Sequence, residues 1–282
     1  MTPHGTQEPQ APPPRVSVVV VSHNCVERLR RCLQSLERAA GRERYQYMVV
    51  DNGSLDGSAQ LDSEFHNIHF FRLPKNFGLT KALNIGVRAA DAEYALLLHE
   101  DTEVAPDAIE LLANTLDANP DAAAACPLLV DAEGHAAPQL GHFPPDDVWC
   151  PAEGLGSDPM PVQYPRGAAL MVRVFFIKAV RQIDERFGQF GGDADIAAQI
   201  RRSTKKMLLV PGARVTHFAD RPDCAAFRAD ALLARAAFQW KYGGFSAGLQ
   251  ASLSAMFGPL FHLHLGEFRY TISGQKINGA QP

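Results

Sequence analysis

The sequence predicts an α/β protein built on a doubly wound, mostly parallel sheet flanked by helices. From Val16 onward, short apolar runs alternate with segments of helical periodicity, as in successive βαβ units. The run at residues 94–98 is apolar on both faces, which is typical of a buried parallel strand. His99, Glu100 and Asp101 follow at its carboxyl end, where open α/β sheets bind their ligands. An enzyme is indicated, unless this polar run merely begins the next helix, where acidic residues are favoured.

Alternating strands and helices account for the first part of the chain. The first strand is rich in valine, and the helix after it places Leu29 and Leu33 on one face. The second strand runs into the turn-forming string Asp51-Asn52-Gly53-Ser54, after which Asp56 is placed to cap a short helix. The predicted strands are residues 16–21, 47–50, 68–73 and 94–98, and the predicted helices are residues 26–39, 79–90 and 106–116.

The composition changes after an apolar segment at residues 122–130. Residues 134–165 are rich in proline and carry Phe143 and Trp149, so we expect an ordered but irregular binding loop rather than disorder. A strand at residues 167–172 and a helix at residues 174–182 restore regular structure. A glycine-rich approach then leads into a helix at residues 194–202.

Charge and cysteine content exclude several classes of protein. The net charge of −4 gives no basic stripe of the kind that nucleic acids require, so no nucleic-acid partner is expected. The five cysteines show no CxxC spacing, which argues against a disulfide framework or a zinc ribbon and favours a reducing compartment. Residues 1–15 form a predicted disordered tail without the apolar run of a signal peptide or a spanning helix.

The C-terminal region, residues 221–282, is predicted to be an apolar helical extension. No Asp, Glu, Lys or Arg occurs between Lys241 and Glu267, yet Gly258-Pro259 interrupts the stretch and polar residues dilute it. It is therefore too polar for a confident transmembrane span. Three interpretations stay open: peripheral contact with a membrane surface, contact with a partner protein, and packing against the rest of the chain.

Several strings, in order along the chain, resemble inverting family-two glycosyltransferases of the GT-A fold, with the bacterial rhamnosyltransferase-like branch closest. This resemblance implies a GT-A catalytic domain at residues 16–220, in which residues 134–165 lie on the acceptor side. The matching strings are VSVVVVSHN (16–24), VVDNGSLDGS (49–58), NFGLTKALNIG (76–86), LLHEDTEV (97–104), GAALMVR (167–173), IDERF (183–187) and LVPGARVTH (209–217).

The resemblance implies a divalent cation, Mg²⁺ or Mn²⁺, that neutralises the leaving diphosphate as a Lewis acid. Family members hold this cation on an Asp-x-Asp motif, and the matching tripeptide here is His99-Glu100-Asp101. Asp101 keeps the last carboxylate and is the implied ligand, whereas His99 either binds the metal through a ring nitrogen or hydrogen-bonds the ribose. His217 matches a position where relatives place a second metal-contacting histidine; the alternative is an ordinary loop histidine.

The resemblance also implies a general base for the acceptor hydroxyl. The family's acidic pair reads Gly192-Asp193 here, so the first acid is lost and Asp193 is the implied base. The alternative is that Asp193 only caps the following helix, and the two roles are compatible. Asp195 is interpreted as structural.

The nucleotide-sugar donor is expected at the carboxyl ends of the first two strands. Carboxylate and amide groups suit this task because a uracil or thymine ring offers one N–H between two carbonyls. The implied donor-binding residues are Ser22, His23 and Asn24 beside the base and ribose, Asp51 or Asn52 at the base edge, Asn76, Gly78 and Lys81 along the cleft, and Glu100 at the metal-binding strand end.

The predicted function is transfer of a sugar from a UDP- or dTDP-sugar, dTDP-rhamnose included, to a saccharide or lipid-linked saccharide acceptor. The expected location is cytoplasmic, with peripheral contact at the inner face of the membrane. One alternative is a catalytically impaired sugar-nucleotide-binding or assembly subunit, because His99 and Gly192 replace acids. Another is a nucleotidyltransferase, which would normally carry a glycine- and arginine-rich loop where this chain has Ser22-His-Asn-Cys-Val-Glu27.

Overall fold

The computed structural model describes residues 13–143, 145, 148–152, 154, 156–219 and 224–273. Within these residues, nine strands form one large sheet and three short strands form a second sheet. The strands are β1 (Val16–Ser22), β2 (Tyr45–Asp51), β3 (Ile68–Arg72), β4 (Tyr94–His99), β5 (Thr102–Val104), β6 (Ala122–Val130), β7 (Pro138–Gly141), β8 (Cys150–Pro151), β9 (Met160–Pro161), β10 (Tyr164–Pro165), β11 (Ala169–Arg173) and β12 (Lys206–His217).

Helices cover both faces of the large sheet. Two 3₁₀ turns, at Arg42–Arg44 and Gly57–Ser63, separate some of the strands, and Asp56 caps the second by accepting the backbone N–H of Ser58 at 2.9 Å, as predicted. The helices are α1 (Val26–Glu37), α2 (Leu79–Ala89), α3 (Ala108–Ala118), α4 (Val174–Ala179), α5 (Gly192–Arg202), α6 (Ala225–Phe238), α7 (Phe245–Phe261) and α8 (Leu265–Ser273), with a π-helical turn at Gln239–Gly243.

The large sheet has the order β3-β2-β1-β4-β11-β6-β12-β5, and β9 also pairs with β12. Its first four strands are parallel, as predicted, so the carboxyl ends of β1, β2 and β4 meet at one edge. Beyond β4 the sheet is mixed, because β11 runs antiparallel to both β4 and β6. Two parallel strands must be joined by a crossover element, usually a helix. The chain enters β11 from the short strands of the proline-rich segment and not from such a helix.

The polar run after β4 does not begin a helix, so that alternative is wrong. Residues Thr102–Val104 form β5, which pairs antiparallel with the end of β12, and α3 begins only at Ala108. The pairing between β12 and β6 shifts register between Val210 and Arg214, across a proline that cannot donate a ladder hydrogen bond. This shift lets one long strand pair with β6 and still reach β5.

Two apolar layers lie on the two faces of the sheet. Val18 and Val20 of β1 pack on one side with helices α1 and α3, and Val19 and Val21 pack on the other side with α2 and α5. Because successive side chains of a strand point to opposite faces, a strand buried on both sides must be apolar throughout. Each fully buried Val or Leu stabilises the fold by about 1.5–3 kcal/mol.

The described residues of the proline-rich segment include a small sheet of order β10-β7-β8. Arg15, at the end of the predicted tail, is bonded to the fold, because its backbone N–H donates to the Arg44 carbonyl at 2.8 Å and its guanidinium donates to Asn114 at 2.6 Å. Residues 1–12 of that tail lie outside the described residues.

The C-terminal helices leave an apolar stripe on α7 facing outward. Gly248, Ala255 and Pro259 of α7 are buried, whereas the opposite side of the helix is exposed. In the described part of the chain, no helix is both long and apolar enough to cross a membrane. The exposed stripe consists of Phe245, Leu249, Leu253, Met256, Phe257, Leu260 and Phe261.

Candidate active site

Three potential metal ligands meet beside the carboxyl end of β4. The His217 Nε2 atom lies 3.5 Å from Asp101 Oδ2, and His99 Nδ1 lies 3.9 Å from Asp101 Oδ1. One ligand atom from each residue lies within 4.8 Å of the other two. The Asp101 and His217 side chains are buried, and the His99 side chain is 12% exposed. The structure therefore brings together all three residues that the sequence predicts as ligands.

Backbone pairing fixes this cluster. His217 lies directly opposite Thr102 in the β5–β12 ladder, and the Phe218 N–H donates to the Asp101 carbonyl at 2.9 Å. The His99 N–H donates to the carbonyl of Ala168 at 2.9 Å. The three side chains therefore converge although more than a hundred residues separate His99 from His217.

The donor set suits a divalent transition metal. Imidazole nitrogens suit first-row transition metals better than Mg²⁺, while the carboxylate of Asp101 suits both Mg²⁺ and Mn²⁺. Three protein ligands leave coordination positions for phosphate oxygens. Glu100 lies outside this cluster. Its carboxylate acts instead near Cys25, where burial and then the charge of Glu100 raise the pKa of the thiol to about 12.

A cavity of about 470 Å³ opens beside the cluster. His99 and His217 lie on its wall together with Asp193, and α6 contributes Phe227, Arg235 and other residues to the lining. The C-terminal extension thus forms part of the cavity. The volume falls within the range of small-molecule sites in proteins.

Asp193 lies in the first turn of α5 and not at its N-cap. The N-cap position is Gly191, whose φ of 85° is left-handed, so the capping interpretation of Asp193 is wrong. The Asp193 carboxylate accepts the N–H of Ala194 at 2.8 Å, the Tyr164 hydroxyl at 3.2 Å and the Gly167 N–H at 3.3 Å. Burial raises the pKa of Asp193, although these three donors act in the opposite direction.

Two glycines shape the surroundings of Asp193. A Cβ atom at Gly167 would lie 2.8 Å from the Cβ of Asp193, so only glycine fits there without moving the carboxylate. A Cβ atom at Gly192 would lie 2.8 Å from the hydroxyl of Thr80. Thr80 therefore fills the space next to the position where the family carries its first acid.

Asp195 is structural, as the sequence indicates, and it ties α5 to the C-terminal extension. Its carboxylate is fully buried and accepts the Lys241 ammonium at 2.7 Å and the Tyr242 hydroxyl at 2.5 Å. The Lys241 ammonium also lies 3.0 Å from the Asp184 carboxylate. Hydrogen bonds from Arg186 and then from Lys241 hold the pKa of Asp184 well below its usual range. Sequence reasoning missed Lys241 and Tyr242, since nothing in the local pattern links them to α5.

A second buried carboxylate ties the extension to the loop before α5. Asp230 of α6 accepts the N–H groups of Gln189 at 2.8 Å and Phe190 at 3.1 Å. The signal in the sequence was a single acidic residue in a mostly apolar helical pattern whose other charged residues are two arginines. Asp230 and Asp195 together fix the segment that carries Asp193.

The predicted donor-binding residues of β2 and α2 form one hydrogen-bonded group. The Asn52 amide donates to the Asn76 side-chain carbonyl at 2.9 Å, and that oxygen also accepts the Gly78 N–H at 2.8 Å. Asp51 accepts the Ser54 N–H at 3.0 Å. These side chains therefore hold the loops that surround the strand ends, and their contact with a donor stays a prediction.

The loop after β1 is fixed in the same way. Asn24 has a left-handed φ of 52°, and its side-chain oxygen accepts the Leu55 N–H at 2.7 Å. Burial lowers the pKa of His23, and Ser22 is fully buried. Lys81 lies apart from this group, with its ammonium 4.7 Å from the centre of the Phe77 ring. A role for Lys81 at the phosphates stays a prediction.

Comparison with known proteins identifies the family. Residues 17–159, about half of the chain, match glycosyl transferase family 2. The chain belongs to this family. It is 32% identical over 107 residues to an N-acetylglucosaminyltransferase of Sinorhizobium fredii (36% of this chain, 26% of the relative). It is 29% identical over 108 residues to a poly-beta-1,6-N-acetyl-D-glucosamine synthase of Staphylococcus epidermidis (37% of this chain, 26% of the relative). The matched parts are about a quarter of each relative's length.

Solved structures confirm the GT-A fold. The chain matches a crystal structure of GalNAc-T7 with UDP, GalNAc and Mn²⁺ with a TM-score of 0.63 and 20% identity, covering 74% of this chain and 44% of that one. It also matches S. aureus TarS 1-349 with a TM-score of 0.58 and 14% identity, covering 93% of this chain and 92% of that one. None of these matches distinguishes a rhamnosyltransferase-like branch.

Replacing Lys241 by Met should lower the free energy of unfolding by about 3–5 kcal/mol, because it leaves the buried Asp195 carboxylate without its ammonium partner. Lys206→Met is the matched control, since Lys206 pairs with Asp121 at the surface and such pairs contribute about 0–1 kcal/mol. Urea unfolding measures both variants. Equal losses would contradict the role given to the Lys241 pair.

Proposed function

We propose that this chain is a metal-dependent, inverting glycosyltransferase that uses a nucleotide diphosphate sugar as donor. The observation that carries the proposal is that Asp193, His99 and His217 lie on the wall of one cavity. A carboxylate with a raised pKa thereby faces the same space as two potential metal ligands. This arrangement provides both halves of the reaction: departure of the diphosphate and removal of the acceptor proton.

The reaction is a single displacement at the anomeric carbon. His99, Asp101 and His217 would hold a divalent cation, which when bound would supply Lewis-acid neutralisation of the leaving diphosphate. The acceptor oxygen forms the new bond as the bond to the diphosphate oxygen breaks, and the hydroxyl proton passes to Asp193. Tyr164 and the Gly167 N–H orient the Asp193 carboxylate through their hydrogen bonds. A positioned base contributes roughly 10²–10⁴-fold to such a reaction.

The donor we propose is a UDP- or dTDP-sugar, and the acceptor a saccharide or lipid-linked saccharide. Two sugars merit direct comparison. N-acetylglucosamine is named in both curated relatives, and the sequence resemblance points to rhamnose. Mn²⁺ is the preferred cation in this proposal because the cluster has two imidazoles.

Retention of Asp193 argues against the impaired binding subunit. Loss of the acid at Gly192 leaves the base itself in place, and three hydrogen bonds still orient it. The nucleotidyltransferase alternative has less support, because the family match lies with glycosyl transferases and the loop after β1 lacks a glycine- and arginine-rich string.

Residues 16–220 are the proposed catalytic domain, with residues 134–165 on its acceptor side and residues 221–282 as a C-terminal extension. We further propose that the protein acts in the cytoplasm and touches the inner face of the membrane through the exposed α7 stripe. The stripe is uncharged and contains Leu253 and Phe257, whose burial in the interface would favour binding.

Binding of UDP should require Mn²⁺. Asp101→Ala should lose most of the gain in UDP affinity that Mn²⁺ provides, because the variant lacks the carboxylate ligand. Isothermal titration of UDP with and without Mn²⁺ measures the effect. Asp62→Ala is the control, since Asp62 lies at the surface paired with Arg72. Metal-dependent binding of parental strength by the Asp101 variant would place the metal elsewhere.

Sugar transfer should rise with pH through the raised pKa of Asp193, because only the deprotonated carboxylate accepts a proton. Asp193→Asn should lower kcat by roughly 10²-fold or more, remove this pH dependence and leave donor affinity almost unchanged. Initial rates across a pH series measure both effects. Parental rates in the variant would move the base to another residue.

Vesicles of anionic phospholipid should bind the parent, and Leu253→Ser with Phe257→Ser should lower the bound fraction several-fold. Each CH₂ group that the substitutions remove from the lipid interface weakens the free energy of membrane binding by about 0.8 kcal/mol. Phe175→Ser is the control, because Phe175 is 85% exposed on α4. Flotation with the vesicles measures binding, and equal binding by all three proteins would exclude the stripe.

A further inference from the structure

One wall of the cavity is an aromatic cluster. Apart from the Tyr164 hydroxyl, which bonds to Asp193, this cluster has no role in the proposed displacement. The Trp149 and Tyr164 ring centres are 4.9 Å apart, and the Phe143 ring lies 5.6 Å from Tyr164. Phe238 of α6 joins the cluster at 6.1 Å from Phe143. Trp149, Tyr164 and Phe238 all line the cavity.

Two arginines accompany these rings. The Arg166 guanidinium lies 5.4 Å from the centre of the Trp149 ring, and Arg235 stands three residues before Phe238 on α6. Both line the cavity, and in the described part of the chain neither forms an ion pair with a carboxylate. Arg228, on the same helix, is by contrast paired with Glu267 at 2.5 Å. Two cationic groups therefore face the cavity without a carboxylate partner among the residues that the structure describes.

The neighbours of Arg166 and Arg235 indicate that these arginines serve the acceptor and not the metal. Residues three apart on a helix share a face, so Arg235 lies on the side of α6 that carries Phe238 into the aromatic cluster. Tyr164 of that cluster donates its hydroxyl to Asp193 at 3.2 Å. Since Asp193 acts on the acceptor, the wall that holds the rings and arginines is the acceptor wall.

We propose that this wall is an acceptor subsite for a saccharide that carries an anionic group, either a uronic acid carboxylate or a phosphate. This inference rests on the proposed function, because it takes the Asp193 side of the cavity as the acceptor side. The broad, apolar ring of Trp149, which is only partly buried, packs against the C–H face of a pyranose, while the buried Tyr164 supports Trp149 from behind. Arg166 and Arg235 bind the anion, as the planar guanidinium matches carboxylate and phosphate in a bidentate manner.

The test measures acceptor affinity in the presence of UDP and Mn²⁺, so that it does not depend on turnover. The probes are methyl β-glucoside, methyl β-glucuronide and methyl β-glucoside 6-phosphate, titrated by NMR. The parent should bind at least one anionic probe roughly 10-fold more tightly than the glucoside, consistent with one or two charge-assisted hydrogen bonds. Preference for the glucuronide identifies a uronate, and preference for the 6-phosphate identifies a phosphate.

Arg166→Gln and Arg235→Gln should each lower the anionic affinity several-fold while leaving glucoside and UDP affinities unchanged. Arg202→Gln is the matched control, because its guanidinium lies over Tyr242 and outside the cavity lining. Equal affinity of the parent for all three probes would overturn the proposal. So would a fall in UDP affinity in the two variants with no change in anionic binding, since the arginines would then serve the donor diphosphate.

Failure of the proposed function is distinguishable from failure of this subsite. If the parent binds an anionic probe selectively and the arginine variants lose that selectivity, the subsite stands even where no sugar donor yields a product. If the parent transfers sugar to neutral and anionic acceptors with the same kcat/KM and binds the probes equally, the proposed function stands and the subsite is overturned.

Discussion

The antiparallel pairing of β5 with the end of β12 is the constraint on which the candidate site depends. It sets His217 opposite Thr102, one residue after Asp101, and the Phe218 N–H closes the same corner on the Asp101 carbonyl. Without this ladder, the imidazole of His217 would have no fixed relation to the end of β4. The register shift across Pro211, Gly212 and Ala213 serves the same end, because it allows one strand to pair with β6 and then with β5.

The electrostatics of α5 follow from two carboxylates on its first turn that have opposite surroundings. Asp195 is fully buried but accepts an ammonium, a phenol and an amide, so its charge is compensated within the protein. Among the described residues, the donors to Asp193 are neutral, and burial raises its pKa. A charge that is matched inside the protein stabilises structure, whereas one left without a cation is available to take a proton. The extension supplies that difference, because Lys241 and Tyr242 reach Asp195.

Sequence reasoning predicted what is local or repeated in the chain. The four parallel strands and the helices between them were predicted because the alternation of the sequence encodes them directly, and the ligand trio was implied by the resemblance to family-two glycosyltransferases. The strand at Thr102–Val104 was missed because three residues carry no periodicity, and its pairing partner lies more than a hundred residues away. The antiparallel entry of β11 and the contacts of Asp195 and Asp230 were out of reach for the same reason. Tertiary packing decided each of them, and no local preference did.

The change at Gly192 illustrates how a departure from a family pattern acquires meaning only in three dimensions. In the sequence it counts as a lost acid and favours an impaired protein. In the structure, Thr80 occupies the space that a side chain at this position would need, and Gly191 adopts a left-handed φ one residue earlier. The first turn of α5 therefore contacts α2 through Thr80, and Gly192 and Thr80 both line the cavity. The contact with Thr80 accounts for a residue without a side chain at this position, and the Asp193 carboxylate next to it keeps all three of its hydrogen bonds.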